Sequence, residues 1–313
     1  MENPTHDSTQ VSISHITHRY SGSFTAVDDV SAQLGGHHVT GLLGANGAGK
    51  STLMNIICGV LTPTDGDVTI NGYSIQKAPV EAKRHIGFLP QKPPLLPDLT
   101  VEEYLRYSAE LRLMVDSGRA VDEAISRCGL EKYRKRLLKH LSGGYQQRAG
   151  IAQAIIHKPS CIVLDEPTNG LDPIQIVEIR HLIHDIAEDC LVLLSTHILH
   201  EVELSCDHIL MMSSGHLVFD DSLGEFTRTI HRDAVLVSMG SMPADEVLLS
   251  IPEVNAVSPS EQHPGFIRLA ITGDADTVCE KIIALSSENG WHLHEIMKEA
   301  PSADDIFKFL SRL

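Results

Sequence analysis

Several features that mark particular classes of protein are missing from these 313 residues. No apolar run approaches the roughly 18 residues of a membrane-spanning helix, and the polar residues 1–10 lack the apolar core of a signal peptide. The six cysteines are scattered and include no C-x-x-C pair, a pattern that disfavours disulfides and zinc. We therefore expect a cytosolic protein with reduced, mostly buried thiols.

Dense runs of lysine and arginine are also missing, and the formal net charge is −16. Proteins that bind nucleic acid normally present a basic surface. The nearest basic stretch, residues 132–136, is interpreted as a solvated helix face or a linker. None of the 18 histidines lies in an H-E-x-x-H motif, and we expect most of them at the surface. Nucleic acid is therefore not an expected partner.

The most specific stretch that is present is residues 44–52, which read G-A-N-G-A-G-K-S-T. They match the phosphate-binding pattern G-x-x-x-x-G-K-[ST] at every fixed position. Residues 39–43 predict a short buried strand leading into this loop. A helix with one apolar stripe is predicted after it from four residues at helical spacing, Leu53, Ile56, Ile57 and Val60. Strand, glycine loop and helix are the context that the motif requires.

The chemistry of this loop follows from its residue types. Gly44, Gly47 and Gly49 would let the backbone curl so that successive N–H groups point at phosphate oxygens. The start of the following helix adds its partial positive charge. Lys50 is expected to reach the β- and γ-phosphates, and the Ser51 hydroxyl is expected to ligate Mg²⁺.

Further buried strands end in polar residues. Apolar runs without alternation begin at residues 86, 161 and 191 and are separated by helical segments, which predicts a mostly parallel sheet with both faces covered. Antiparallel strands are predicted around this unit at residues 11–20, 27–34 and 68–72. Ligands bind at the carboxyl ends of such parallel strands. Four side chains are therefore expected to converge there: Gln91, Asp165, Glu166 and His197.

The region between about residues 92 and 158 is predicted to be a helical subdomain. Thr100 can cap its first helix, with acidic residues in the first turn. Ser142 is predicted to cap a later helix that runs to about residue 157, and the glycines after Ser142 leave the start of that helix bare.

The character of the chain changes past about residue 220, and its length favours two domains. We predict a first domain at residues 1–224 and a second at residues 225–313. The second has the order βαββαβ plus a final helix from Ala303, which resembles a small ferredoxin-like α+β module. Because no cluster of reactive groups occurs in it, it is interpreted as a regulatory or interaction domain, with a small-ligand site as the alternative.

One further motif makes the chain resemble a known family. Residues 141–148 read L-S-G-G-Y-Q-Q-R, which is similar to the signature L-S-G-G-x-Q-Q-R of the ATP-binding subunits of ATP-binding-cassette (ABC) transporters. The resemblance covers about residues 11–224. More weakly, residues 301–307 resemble the end of the C-terminal extension of cassettes that serve two-component exporters. The pre-signature motif of long exporters with fused membrane domains is missing, and residues 137–140 stand in its place, which favours a separate membrane partner.

The resemblance implies a role for each matching residue. Glu166 would be the catalytic base, with His197 and Lys50 as further catalytic residues, and Tyr20 would stack on adenine. Ser51, Gln91 and Asp165 would hold Mg²⁺, and Asp172 would lie in the turn that crosses a dimer interface. The phosphates would be bound by Gly44, Asn46, Gly47, Ala48, Gly49, Lys50, Ser51 and Thr52 of one subunit, and by Ser142, Gly143 and Gly144 of the opposite one.

The resemblance also implies partners and an activity. The expected protein is an ATPase that uses ATP and Mg²⁺, pairs with a second nucleotide-binding subunit as a homodimer, and powers transport through a separate permease. It would lie at the inner face of the cell membrane, and export is the expected direction. The alternative is a soluble ABC ATPase that acts in translation or DNA repair, although such proteins usually carry two cassettes or long coiled-coil insertions. A P-loop kinase would leave the signature unexplained.

Overall fold

The computed structural model describes residues 9–21, 24–36, 38–230, 234–260 and 263–299. The chain divides into two compact units, the first extending to Leu223 and the second beginning at Gly224. None of the helices in the described ranges is long and apolar enough to cross a membrane.

The first unit contains two sheets. The strands of the antiparallel sheet lie in the order β2-β1-β4-β5. Their bounds are β1 Thr9–Arg19, β2 Thr25–Gly35, β4 Asp65–Ile70 and β5 Tyr73–Ser74. The strands predicted at residues 11–20 and 27–34 are confirmed, and both face a common core through residues such as Val11, Ile13 and Val27.

The second sheet has the order β10-β9-β3-β8-β7-β6. Its bounds are β3 Val39–Gly44, β6 Ile86–Leu89, β7 Cys161–Asp165, β8 Leu191–Thr196, β9 His208–Ser213 and β10 His216–Ser222. All neighbouring pairs are parallel except β9 and β10. The predicted mostly parallel core sheet is therefore confirmed, with one antiparallel strand at its edge.

The helix after the phosphate loop, α1 Lys50–Ile57, packs into the core between the two sheets. Leu53, Met54, Ile56 and Ile57 are all fully buried, so the helix buries more than the single stripe that its spacing predicted. The prediction that Val60 belongs to that stripe is wrong. The helix ends at Ile57, and Val60 lies beyond it with 61% of its surface exposed.

Other helices of the first unit cover the parallel sheet and form the helical subdomain. Their bounds are α2 Pro79–Arg84, α3 Val101–Leu111, α4 Ser117–Arg127, α5 Gly143–Ile155, α6 Pro173–Ala187 and α7 Leu199–Ser205. A further helix, α8 Leu223–Ile230, begins at the boundary between the two units. Thr100 caps α3 through a full capping box with Glu103, as its sequence predicted. Strand β6 ends at Leu89, so Gln91 lies in the loop after the strand.

The second unit has its own core. Its elements are β11 Ala234–Met239, α9 Asp245–Leu249, β12 Val254–Pro259, β13 Ile267–Ile271, α10 Ala275–Asn289 and β14 Leu293–Glu299. The sheet order is β12-β13-β11-β14, with antiparallel neighbours. This is the predicted ferredoxin-like order βαββαβ. The predicted helix from Ala303 and the motif at residues 301–307 lie outside the described residues.

Candidate functional site

The phosphate loop connects β3 to α1 through two glycines in the left-handed region. Gly47 has φ +84° and Gly49 has φ +105°, conformations that favour glycine. A Cβ on Gly49 would also lie 2.4 Å from the carbonyl oxygen of Ala26. Gly44 differs from the prediction, because its φ is not in this region. It is constrained by space instead, since a Cβ there would lie 2.7 Å from the carbonyl oxygen of Met212.

Asn46, Ala48 and Thr52 complete the predicted loop, with Asn46 exposed at its tip and Ala48 buried beneath it. Gly49 takes the N-cap position of α1 with no side-chain hydrogen bond to the helix. The first N–H groups of α1 are therefore not capped by a side chain and are available to an anion.

Lys50 lies inside the loop with only 6% of its surface exposed. Its Nζ donates to the carbonyl oxygens of Gly44 at 2.7 Å and Ala45 at 3.2 Å. Burial lowers the pKa of this ammonium, and the carboxylates of Glu166 and Asp165 act in the opposite direction. The geometry holds a cation under the loop, where a phosphate chain would meet it.

Asp165 ends β7 and is almost completely buried. The Ser195 hydroxyl at the end of neighbouring β8 donates to its Oδ1 at 2.5 Å. The Ser51 hydroxyl donates to the same oxygen at 3.3 Å. Adjacent strands and the loop thus bring hydroxyl and carboxylate oxygens together, which are the hard ligands that Mg²⁺ prefers.

Glu166 is the next residue, and it has a left-handed backbone with φ +48°. Such a conformation is unusual for a glutamate and is common at functional sites. The backbone N–H of Glu166 donates to Ser195 Oγ at 2.9 Å, which holds the turn against β8. The side chain is mostly shielded, with 12% of its surface exposed.

Three side chains surround the carboxylate of Glu166. Gln91 Nε2 donates to Oε2 at 2.7 Å, and Asn169 Nδ2 donates to the same oxygen at 3.1 Å. His197 Nδ1 lies 3.1 Å from Oε1. The predicted convergence of Gln91, Asp165, Glu166 and His197 at the carboxyl ends of the strands is therefore present in the structure.

Tyr20 lies beside the first turn of α1 and at the surface, with 43% of its surface exposed. Its hydroxyl is 3.3 Å from Thr52 Oγ1, and its ring meets the His18 ring edge to face at 4.7 Å between centroids. An exposed aromatic face beside the first turn of α1 is a surface on which a planar base could stack.

The signature residues form a separate group at the start of α5. Ser142 takes the N-cap position but makes no side-chain capping bond, contrary to the prediction that it would cap the helix. A Cβ added at Gly143 would lie 3.8 Å from Leu171 Cδ2, and one added at Gly144 would lie 2.8 Å from Gln175 Cδ. In the described part of the chain, no hydrogen bond joins residues 142–144 to the phosphate loop.

Asp172 lies between Leu171 and Gln175 and caps α6. Its Oδ1 accepts from the backbone N–H groups of Ile174 and Gln175, both at 3.0 Å. The turn containing Asp172 therefore packs against the signature glycines of its own chain.

Sequence reasoning missed several residues of the site. Ser195 joins Asp165 to Glu166, Asn169 contacts the carboxylate of Glu166, and Gln175 faces Gly144. Ser195 could have been found, because it stands at a strand end two residues before His197. The position of Gln175 could not, since it depends on the packing of two helices.

Comparison with known proteins identifies the family. The family model for ABC transporters matches residues 27–169. The bacitracin transport ATP-binding protein BcrA of Bacillus licheniformis is 37% identical over 213 residues, which are 67% of this chain and 69% of that protein. The chain belongs to the ABC transporter ATP-binding proteins. This family membership makes it an ATP-binding ATPase subunit, as its sequence predicted.

Other members of the family extend the comparison. The linearmycin resistance ATP-binding protein LnrL of Bacillus subtilis is 27% identical over 290 residues, 91% of this chain and 93% of that protein. An ATP-binding cassette solved as a dimer in a post-hydrolysis state with ADP and Pi has a TM-score of 0.62 at 25% identity, covering 68% of this chain and 98% of that one. The protein cbiO1 of Clostridium perfringens, part of the transporter complex cbiONQ, has a TM-score of 0.64 at 26% identity, covering 72% of this chain and 95% of that one.

Proposed function

We propose that this ABC protein binds ATP between two copies of the chain and hydrolyses it with Glu166 as the base that orients the attacking water. The observation that carries this proposal is the setting of Glu166, beside the phosphate loop and held by Gln91, Asn169 and His197. A carboxylate so positioned can accept a proton from water as the water attacks the γ-phosphorus.

In the transition state of phosphoryl transfer, negative charge is distributed over the oxygens of the γ-phosphoryl group, and fixed positive groups stabilise it. The Lys50 ammonium is the buried cation that would meet the β- and γ-phosphates after leaving the carbonyls of Gly44 and Ala45. The imidazole of His197 would contribute from the opposite side, oriented by Glu166 Oε1. Tyr20 would stack on the adenine ring.

The residues present also fit a Mg²⁺ ion. Ser51, Asp165 and Gln91 offer a hydroxyl, a carboxylate and an amide oxygen, and the first two already lie 3.3 Å apart. No group of three or more His, Cys, Asp or Glu side chains suited to a metal occurs among the described residues. Mg²⁺ typically binds through one or two carboxylates together with substrate phosphates. When bound, it would neutralise phosphate charge.

The signature residues support a composite site. Ser142, Gly143 and Gly144 start α5 without a side-chain cap, so their N–H groups can bind an anion. Their contacts within this chain go to Leu171 and Gln175 rather than to the phosphate loop. We infer that they bind the γ-phosphate held by a second copy, with Asp172 in the turn that crosses between the copies. The dimeric ATP-binding cassette with ADP and Pi supports this arrangement.

A membrane permease is the proposed second partner, and export is the proposed direction. Apolar side chains lie exposed around the end of α3, among them Leu111, Leu113 and Val115, and this segment is the proposed contact with the permease. Relatives named for bacitracin transport and linearmycin resistance favour export. The chain would then work at the cytoplasmic face of the membrane. We propose a first domain at residues 1–224 and, at residues 225–313, a regulatory or interaction domain; the two compact units of the structure meet one residue earlier, between Leu223 and Gly224.

The direct test is Glu166→Gln in the full chain. The amide keeps the shape of the side chain but cannot act as a base, so steady-state ATP hydrolysis is expected to fall by about 100-fold or more. ATP binding should persist, because the phosphate loop is unchanged. The matched control is Glu203→Gln, an exposed carboxylate on α7, which should hydrolyse ATP at the normal rate. Undiminished turnover by Glu166→Gln would remove the proposed base.

A further inference from the structure

Beyond the residues already assigned, one carboxylate connects the two segments that carry Glu166 and His197. Glu201 lies in the first turn of α7, four residues after His197. The Thr168 hydroxyl donates to its Oε1 at 2.7 Å, and the Thr196 hydroxyl donates to its Oε2 at 2.8 Å. Both oxygens are therefore used, each by a different segment of the chain.

The bond to Thr196 bears on His197. Thr196 ends β8 and is 98% buried, since only 2% of it is exposed. Its hydroxyl donates to Glu201 and also accepts from the backbone N–H of Ile198 at 3.0 Å. The Thr196 hydroxyl thus connects Thr196 itself, before His197, to the backbone of Ile198 after it. These hydrogen bonds stabilise the short turn that places the imidazole beside Glu166.

The bond to Thr168 bears on Glu166. Thr168 lies in the turn after β7, where the N–H of Asn169 donates to the carbonyl oxygen of Glu166 at 3.1 Å and the N–H of Leu171 donates to that of Thr168 at 3.2 Å. Asn169 in turn donates to the carboxylate of Glu166. The hydrogen bond from Thr168 to Glu201 therefore limits how far the turn that carries Glu166 and Asn169 can move away from β8.

The segments after β7 and β8 are joined at two points. Ser195 joins them on the strand side, through Asp165 and the N–H of Glu166. Glu201 joins them on the far side, through the two threonines. The 3.1 Å contact between His197 and Glu166 lies between these points. Charge-assisted hydrogen bonds to a carboxylate are stronger than neutral ones, so Glu201 is suited to hold this geometry.

We propose that Glu201 is a positioning residue, which holds the side chains of Glu166 and His197 at the relative position needed for hydrolysis without contacting the nucleotide. This inference rests on the proposed roles of Glu166 and His197. It assigns Glu201 an effect on the chemical step alone, because among the described residues none of its hydrogen bonds reaches Lys50 or the phosphate loop.

The test uses Glu201→Gln, whose amide offers one acceptor oxygen where the carboxylate offers two. In the full chain we expect kcat for ATP to fall about tenfold, which is about 1.4 kcal/mol, while KM stays within about twofold of wild type. Glu201→Asp keeps the charge but shortens the side chain, so it cannot span both hydroxyls and should also lose kcat. Glu203→Gln makes the same chemical change at an exposed site on the same helix and should leave kcat unchanged.

A purely structural role is separated by combining Glu201→Gln with His197→Ala. If Glu201 acts partly by placing the imidazole, the double variant should lose less than the product of the two single effects. A full product, or wild-type kcat in both Glu201 variants, would overturn the proposal. If Glu166→Gln hydrolyses ATP normally, the proposed function fails first. If Glu166→Gln is inactive while both Glu201 variants are normal, only the present inference fails.

Discussion

Only glycine fits at position 49, because of the backbone conformation there and because no space is left for a Cβ atom. Its φ of +105° lies outside the range that most side chains allow, and a Cβ would lie 2.4 Å from the carbonyl oxygen of Ala26. The carbonyl belongs to the backbone of β2 and cannot swing aside as a side-chain end can. The loop therefore depends on this glycine for its shape as well as for access to phosphate.

We expect Gly49→Ala to lower the free energy of unfolding by about 2 kcal/mol or more and to weaken nucleotide binding. The matched control is Gly118→Ala on the exposed side of α4, where a Cβ meets nothing within 4 Å. Because alanine is the better helix former, this control should be neutral or more stable by about 0.5–1 kcal/mol. Denaturant unfolding and nucleotide titration measure both effects, and equal behaviour of the two variants would contradict the account.

Residue identities were largely predictable from the sequence, and residue mechanisms only in part. The motif identified Gly44, Gly47 and Gly49, but not that Gly44 is limited by Met212 rather than by its own φ. Ser142 was predicted to cap α5 because of its residue type, yet its hydroxyl makes no such bond. Glu201 was not predicted, since its two partners are set by the packing of α7 against the ends of β7 and β8.

Strand positions were well predicted because each buried strand is an unbroken apolar run. The runs at residues 161–164 and 191–194 became β7 and β8, and their polar ends met as expected. Helix α1 was less predictable. Because a sheet packs on either side of α1, its buried residues are not confined to one stripe. Its end at Ile57 is set by the backbone conformation of residues 58–59, which apolar spacing does not reveal.

Helix α5 ends beside the half-buried imidazole of His157. His157 Nε2 lies 3.0 Å from the carbonyl oxygen of Ile86, and its Nδ1 is buried without a hydrogen-bond partner in the described part of the chain. Burial chiefly, and then the charge of Arg112, lowers the pKa of His157 from 6.5 to about 4. The folded protein therefore keeps this histidine neutral where an unfolded chain would protonate it.

The lowered pKa of His157 makes the stability of the fold depend on pH. Between pH 6.5 and about 4 the unfolded state binds more protons at this site, so stability falls as the pH falls, by at most about 3 kcal/mol. His157→Gln can still donate to Ile86 and does not titrate. We expect the loss of stability from pH 6.5 to 4.5 to be smaller in this variant. Identical pH profiles in denaturant unfolding would show that His157 has an ordinary pKa.

The second unit is too large to lie outside the match to LnrL, which spans 290 residues and 91% of the chain, whereas the match to BcrA spans 213 residues. The βαββαβ order of the second unit was predictable because each element is short and bounded by turn residues. Its function was not, since its residues form no reactive cluster in the sequence.

In the proposed dimer, each ATP lies between the phosphate loop of one copy and the signature of another. Lys50→Ala disables the loop, and Gly143→Asp places a carboxylate where a phosphate must approach, so that charge repulsion adds to the steric clash. A homodimer of either variant has two defective sites. A dimer of one Lys50→Ala chain and one Gly143→Asp chain has one site in which both parts are intact.

The most direct measurement is ATP hydrolysis and ATP occlusion by an equal mixture of the two variants, compared with each variant alone. We predict only background activity from each variant alone. If the chains pair at random into homodimers and heterodimers, the mixture should reach up to about a quarter of wild-type activity. Half of the dimers would be mixed, and half of the sites in those would be intact. A mixture no more active than its components, or normal occlusion by Gly143→Asp alone, would contradict the composite site.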